Sequence, residues 1–239
     1  MMKIATKLAG YIESAGMAEF GTLKTLGLTS ENSLRVTLSM LAKARRIYNP
    51  VRGIYVSKNV DPFWVATKLY PGYVSMLAAF YLDHLIDEYP FTIMVGSGAR
   101  RSVVMGQYEF LYFKAKNYAG VEQKQYSVAS VEKAVYDSLL NWRFIGFPKL
   151  TAVLYRSRLD SKKLLGICKG ESSAFFQRLG YLLSVLPSRD VEKEGIMRFC
   201  AKKVRANAYL QGRGGGEYIK GWKLIDNVGK GVLLSWWHQ

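Results

Sequence analysis

Across 239 residues, 34 Lys and Arg stand against 18 Asp and Glu, a net charge of +16 with a pI near 9.8. With 49% hydrophobic and 22% charged residues and only 6 Pro, the chain has enough apolar side chains to build a core, which excludes wholesale disorder. The length excludes a peptide-sized scaffold and allows one large domain or two modest ones. A field of this sign draws in polyanions, so double-stranded DNA leads the partner classes. No window approaches the roughly 18 apolar residues of a membrane span, and the N-terminus lacks a signal-peptide core, so no membrane partner is expected. Cys168 and Cys200 are too few for a disulfide framework and lack metal-site spacing, which suits the reducing cytoplasm. His84 and His238 are the two histidines, so histidine-rich metal sites are excluded and hydrolase chemistry is disfavoured. No cofactor, metal or catalytic activity is expected.

In chain order, apolar Ile4, Leu8, Tyr11, Ile12 and Ala15 mark one face of a first helix ending at Gly16. A short second helix over residues 20–26 stops at Gly27. The third starts after Thr29 and Ser30, with Glu31 in its first turn, and runs to about Ala44. Two β-prone stretches, residues 46–48 and 54–56, then flank the turn Asn49-Pro50-Val51-Arg52-Gly53. Three helices and a hairpin give the winged helix-turn-helix order, with a domain boundary at residues 60 and 61. Beyond it, Asp61-Pro62 opens a helix to Leu69, and another covers residues 75–87. Strands are expected at 91–95, 103–105, 110–114 and 125–128, and strongly periodic helices at 130–140 and 172–186. Residues 149–158 suit helix or strand. Short strands are expected at 218–219, 222–225 and 232–236. The fold class is therefore α+β: a winged helix-turn-helix, residues 1–60, followed by a mixed α/β domain, residues 61–239.

On a helical wheel with Leu34 at zero, Leu38 and Leu41 fall within about 40° of it, a stripe for the core. The opposite side carries Asn32, Val36, Ser39 and Lys43, with Arg35 on its flank. Short polar groups and cations at a helix start are what base edges in the major groove require, and an aliphatic group suits a thymine methyl. Lys43, Arg45 and Arg46 at the helix end and Arg52 at the wing tip are expected on phosphates. A solvated helix face accounts for the wheel alone; the basic hairpin behind it favours DNA. Residues 1–60 hold nine basic and three acidic side chains, +6 of the total +16, so the second domain is also expected near DNA, with Arg100 and Arg101 available to phosphate.

The segment LSMLAKARRIYNPVRGIYV, residues 38–56, resembles the helix and wing of the AbiEi family of antitoxins and transcriptional autorepressors. YPGYVS at 70–75 with Ala78-Ala79, VASVEKAVYDSLL at 128–140 and QRLGYLLSVL at 177–186 resemble further family segments in order, and together they span most of residues 1–190. The resemblance implies an N-terminal operator binder that represses its own promoter, built of inverted repeats, and a C-terminal domain that antagonises a nucleotidyltransferase toxin. Within that implication, Arg178 and Tyr181 are the candidate antitoxin residues, beside a core of Leu179, Leu182 and Leu183.

Other motifs offer rival chemistry. Gly96-Ser97-Gly98 after a strand suits a nucleotidyltransferase phosphate turn, but no Asp-x-Asp occurs and the one Asp-x-Glu, Asp190-Val191-Glu192, does not accompany the turn to hold metals. Glu122-Gln123-Lys124 resembles half of a metal-dependent nuclease site without a well-spaced upstream Asp. Asp83, His84, Asp87 and Glu88 suit a solvated helix end better than a metal. Residues 212–216 lack the ending of a phosphate loop and suit a hinge, and Trp236-Trp237 suit docking on their own core. A transcription factor without an antitoxin role and a DNA-cleaving enzyme are the alternatives.

Overall fold

The computed structural model describes residues 2–237, so His238 lies outside the described residues. Helices and strands mix throughout, and packing divides the chain into two units. The first takes residues up to Val74 with Phe91–Lys114 and Gln125–Ser127, and the second Ser75–Pro90, Ala115–Lys124 and Val128 onward.

The first unit begins with α1 (Met2–Ala15), β1 (Met17–Glu19), α2 (Phe20–Thr25), α3 (Glu31–Lys43), β2 (Ile47–Val51) and β3 (Ile54–Ser57). The strands form an antiparallel sheet in the order β1-β3-β2, Met17 pairing with Val56 and Tyr48 with Val56 from the other side. Leu8 and Ile12 of α1, Leu23 of α2, Leu34, Leu38 and Leu41 of α3, and Ile47 of β2 close one core. That core draws its buried members from residues 8–47 alone, so the first three helices bury their apolar faces on one another. Helix α4 (Pro62–Leu69) follows, Asp61 Oδ1 capping it at Phe63 N over 2.8 Å, and then β4 (Gly72–Ser75).

Strands β5 (Thr92–Ser97), β6 (Arg101–Met105) and β7 (Tyr108–Lys114) complete the unit. Strands β5 and β7 run parallel, and β6 and β7 form a hairpin, giving the order β6-β7-β5-β4. The unit runs past residue 60 because α4 packs into this sheet: Tyr112 Oη donates to Ala66 O at 2.7 Å, and Phe63 stacks on Tyr126 at 6.2 Å.

The second unit holds α5 (Met76–Leu82), β8 (Val121–Gln123), β9 (Ser127–Ala129), α6 (Val131–Leu140), α7 (Trp142–Ile145), α8 (Phe147–Arg156), α9 (Ser161–Ile167), α10 (Ser173–Ser184), α11 (Val191–Ala201), β10 (Ala208–Tyr209), β11 (Glu217–Ile219), β12 (Leu224–Asp226) and α12 (Lys230–Leu233). Helix α6 sits centrally against α5, α8, α9 and α10 and is buried from Glu132 to Leu139.

Three sequence expectations change here. The helix expected over residues 75–87 ends at Leu82, because Asp83 leaves the helical conformation and His84 turns left-handed at φ 56°. Of residues 149–158, which suit helix or strand, those up to Arg156 are helix, within α8, and Ser157 is already extended. The strand expected at 232–236 is instead the helical turn α12 and the turn after it; Trp236 Nε1 donates to Thr151 Oγ1 at 2.9 Å, and Trp236 and Trp237 both pack on Tyr155 of α8.

Candidate nucleic-acid interface

Ser30 caps α3, its Oγ accepting from Ser33 N, while Glu31 occupies the first turn. Leu34, Thr37, Leu38 and Leu41 point into the core, which turns the remaining sides outward. Asn32, Arg35, Val36, Ser39 and Lys43 are all exposed, as the wheel predicts. Val36 is 55% exposed and Met40, one turn on, 58%, so the outer face carries an apolar pair at its centre, of which the wheel marks Val36 alone.

Arg35 is not a free arm. Its Nη2 meets Glu31 Oε1 at 2.7 Å, and its guanidinium lies 4.4 Å from the centre of the Phe20 ring. Lys24 Nζ reaches the other oxygen of Glu31 at 2.6 Å. Hydrogen bonds from Lys24 and Arg35 hold the Glu31 carboxyl down at about 2, so the clasp keeps its charge across ordinary working pH.

Past α3 the backbone turns sharply. Arg45 takes a left-handed φ of 53°, Arg45 N bonds to Ala42 O, and Arg46 N bonds back to Leu41 O at 2.9 Å. Glycine is the usual residue at such a helix end, and a side chain there costs about 1–2 kcal/mol, so a cation stands where stability alone favours none. The hairpin beyond is pinned at its tip: Asn49 Nδ2 donates to Val51 O at 2.9 Å and Ile54 O at 2.7 Å, and Phe20 N donates to Gly53 O at 2.7 Å. Gly53 takes φ 81°, a conformation that favours glycine, and presents exposed Arg52 beside it. Lys43, Arg45, Arg46 and Arg52 are exposed and form no ion pair among the described residues.

Arg101 opens β6, and Arg100 stands directly before it. Ser97 Oγ closes the preceding turn by donating to Ala99 O at 2.7 Å. Arg101 lies 3.9 Å from the Tyr70 ring centre, and Tyr70 packs edge-on against Tyr112. The far end of the strand, at Gly106, touches the Tyr48 ring of the hairpin. Five residues of strand, about 17 Å, therefore separate Arg101 from that contact.

In the second unit, Tyr181 is buried, and its hydroxyl donates to Asp226 Oδ2 at 2.5 Å. Arg178 is partly exposed, and its Nε donates to Tyr209 O at 2.9 Å. Both candidate antitoxin side chains thus fasten α10 to the C-terminal strands, a role invisible in sequence because the partners lie 31 and 45 residues away. Among the rival motifs, Lys124 faces Asp83 at 3.6 Å and Glu122 at 3.8 Å, and Lys163 takes Glu122 at 2.9 Å, so these acids are engaged in ion pairs. Glu88 is paired with Lys149.

The chain matches no protein-family model and no curated protein sequence.

Proposed function

We propose that this protein is a sequence-specific transcriptional repressor that binds double-stranded DNA at its own promoter through a winged helix-turn-helix in residues 1–60. The observation that carries the reading is the outer face of α3 and the hairpin behind it: Asn32, Val36, Ser39 and Met40 stand open, while four cations that form no ion pair among the described residues, Lys43, Arg45, Arg46 and Arg52, flank them. Helix N-terminal side chains of this kind reach base edges, and cations at the helix end and wing tip reach phosphates. The Glu31 clasp holds Arg35 along the helix, so a guanine must compete with a carboxylate for it, whereas Asn32 is free to take an adenine.

Base reading and phosphate positioning separate by substitution. Asn32→Ala weakens operator binding by about 1–3 kcal/mol and leaves random duplex nearly unaffected. Arg52→Ala weakens both alike. Equal losses on operator and random sequence for Asn32→Ala remove α3 as the reader.

The resemblance to AbiEi antitoxins extends the proposal to an autoregulated toxin-antitoxin operon in which the second unit antagonises a nucleotidyltransferase toxin. With the toxin expressed from an unrelated promoter, the full chain carrying both Asn32→Ala and Arg52→Ala still restores growth. Loss of rescue in that variant means that protection acts through repression, and the antitoxin half falls.

A further inference from the structure

Strand β12 is the middle strand of the sheet β10-β12-β11, and it alternates: Leu224 and Asp226 are buried, Ile225 is half-buried. The buried side faces α10, where Tyr181 meets Asp226. Successive side chains on a strand point to opposite faces, and residues in register share one. Ile225 pairs with Tyr209 on β10 and with Tyr218 on β11. Tyr218, Ile225 and Tyr209 therefore form a row across the sheet on the side turned away from α10. Tyr218 is 49% exposed, and its hydroxyl donates to Asn207 Oδ1 at 3.2 Å, which steadies the ring. Gly180 of α10 allows the close docking behind this sheet, since a Cβ there would lie 2.2 Å from the Trp222 ring.

Charge around the row is one-sided. Between residues 202 and 230, seven Lys or Arg stand against two acids, Glu217 and Asp226. Asp226 is buried and also accepts from Val228 N and Gly229 N, which leaves Glu217 as the exposed acid. Arg205 precedes β10, Arg213 sits in the glycine-rich loop from β10 to β11, and Lys220 and Lys223 sit in the turn from β11 to β12. All four are exposed, and none forms an ion pair among the described residues. Lys223 Nζ donates to Arg205 O at 3.0 Å, drawing two of these segments together.

We propose that this face binds single-stranded nucleic acid, with unpaired bases stacking on Tyr218 and Tyr209 and phosphates meeting Arg205, Arg213, Lys220 and Lys223. Flat rings in a cationic surround suit unpaired bases of any sequence, because every base offers a π-face. A duplex hides those faces in its own stack and suits the outer face of α3 instead. The site is distinct from the operator-binding helix, and its failure leaves the repressor reading standing.

The test titrates the full-length chain with 20-mers of oligo(U) and oligo(dT) and with promoter duplex. Oligo(U) or oligo(dT) binds, and Tyr218→Ala weakens that binding by about fivefold to a hundredfold. Tyr218→Phe keeps it, since the ring and not the hydroxyl does the stacking. Neither change moves promoter affinity. Arg213→Ala and Lys220→Ala each lower the log-log salt slope on the single strand by about 0.7. Binding to oligo(U) alone assigns the strand as RNA; equal binding to oligo(dT) means that the sugar is not read. Failure of both to bind overturns the proposal, as does Tyr218→Ala binding like the wild type. Unrelated duplex competing as well as either single strand overturns it too.

Discussion

Raising the salt from 50 to 200 mM weakens binding to the protein's own promoter by about a thousandfold. That figure follows from roughly six phosphate contacts, each releasing counterions, which set a log-log slope near −5. The cations are on the surface for it: Lys43, Arg45, Arg46 and Arg52 cluster after α3 and at the hairpin tip, and Arg101 opens β6 with Arg100 directly before it. The same counterion arithmetic also predicts what does not change, since random duplex shares the phosphates and gives a similar slope. Arg45→Ala and Arg46→Ala each reduce the slope by about 1. Arg35→Ala reduces it less, because Arg35 is already paired with Glu31. Filter binding or fluorescence anisotropy across four salt concentrations measures all of this, and a wild-type slope near zero removes the electrostatic basis of the proposal.

What was legible in the sequence is what local chemistry decides. Ser30 and Asp61 cap helices at the residues expected, and the expected hairpin forms, because caps and turns answer to side chains within a few positions; its turn is narrower than expected, since β2 runs on through Val51 and only Arg52 and Gly53 reverse the chain. Strands β1 and β4 are not legible in the sequence. Each is three or four residues long, and β1 exists by pairing with β3 some forty residues on, while β4 begins at Gly72, directly after Pro71, a dipeptide whose chemistry favours a turn. Helices α9 and α11 are not legible either; α9 is a single short stretch, and α11 buries little besides Lys193, Ile196 and Cys200. The run at 232–236 illustrates the opposite failure, where an apolar stretch too short to show a period fits helix or strand equally.

The candidate site divides in the same way. The wheel found the outer face of α3 because a single helix has one period. It did not find the hold on Arg35, which needs Phe20 and Lys24 brought alongside by α2. The row of Tyr218, Ile225 and Tyr209 is set by the register of three strands of two or three residues each, and the loop carrying Arg213 reads as a hinge when that register is unknown.

Removing one partner of the Lys133–Asp137 pair destabilises the protein by about 3–5 kcal/mol. Lys133 is fully buried on α6, and its Nζ reaches Asp137 Oδ1 at 2.9 Å and Asn117 O at 2.9 Å. Asp137 Oδ2 accepts from Ser75 Oγ at 2.8 Å, so one ion pair ties α6 to the start of α5 and to the loop before β8. Burial drives the Lys133 ammonium below its usual range, and the Asp137 charge opposes that shift. Dehydrating both ions costs several kcal/mol each, and their attraction only offsets it, so the pair is worth little against an apolar replacement but much against a broken pair. Lys133→Met strands a buried carboxylate, and Asp137→Leu strands a buried ammonium; either lowers the urea midpoint sharply. The double variant recovers most of the loss, which no sum of independent effects allows. Additive losses in the double variant mean that the two side chains act by packing alone and that their charges do not couple.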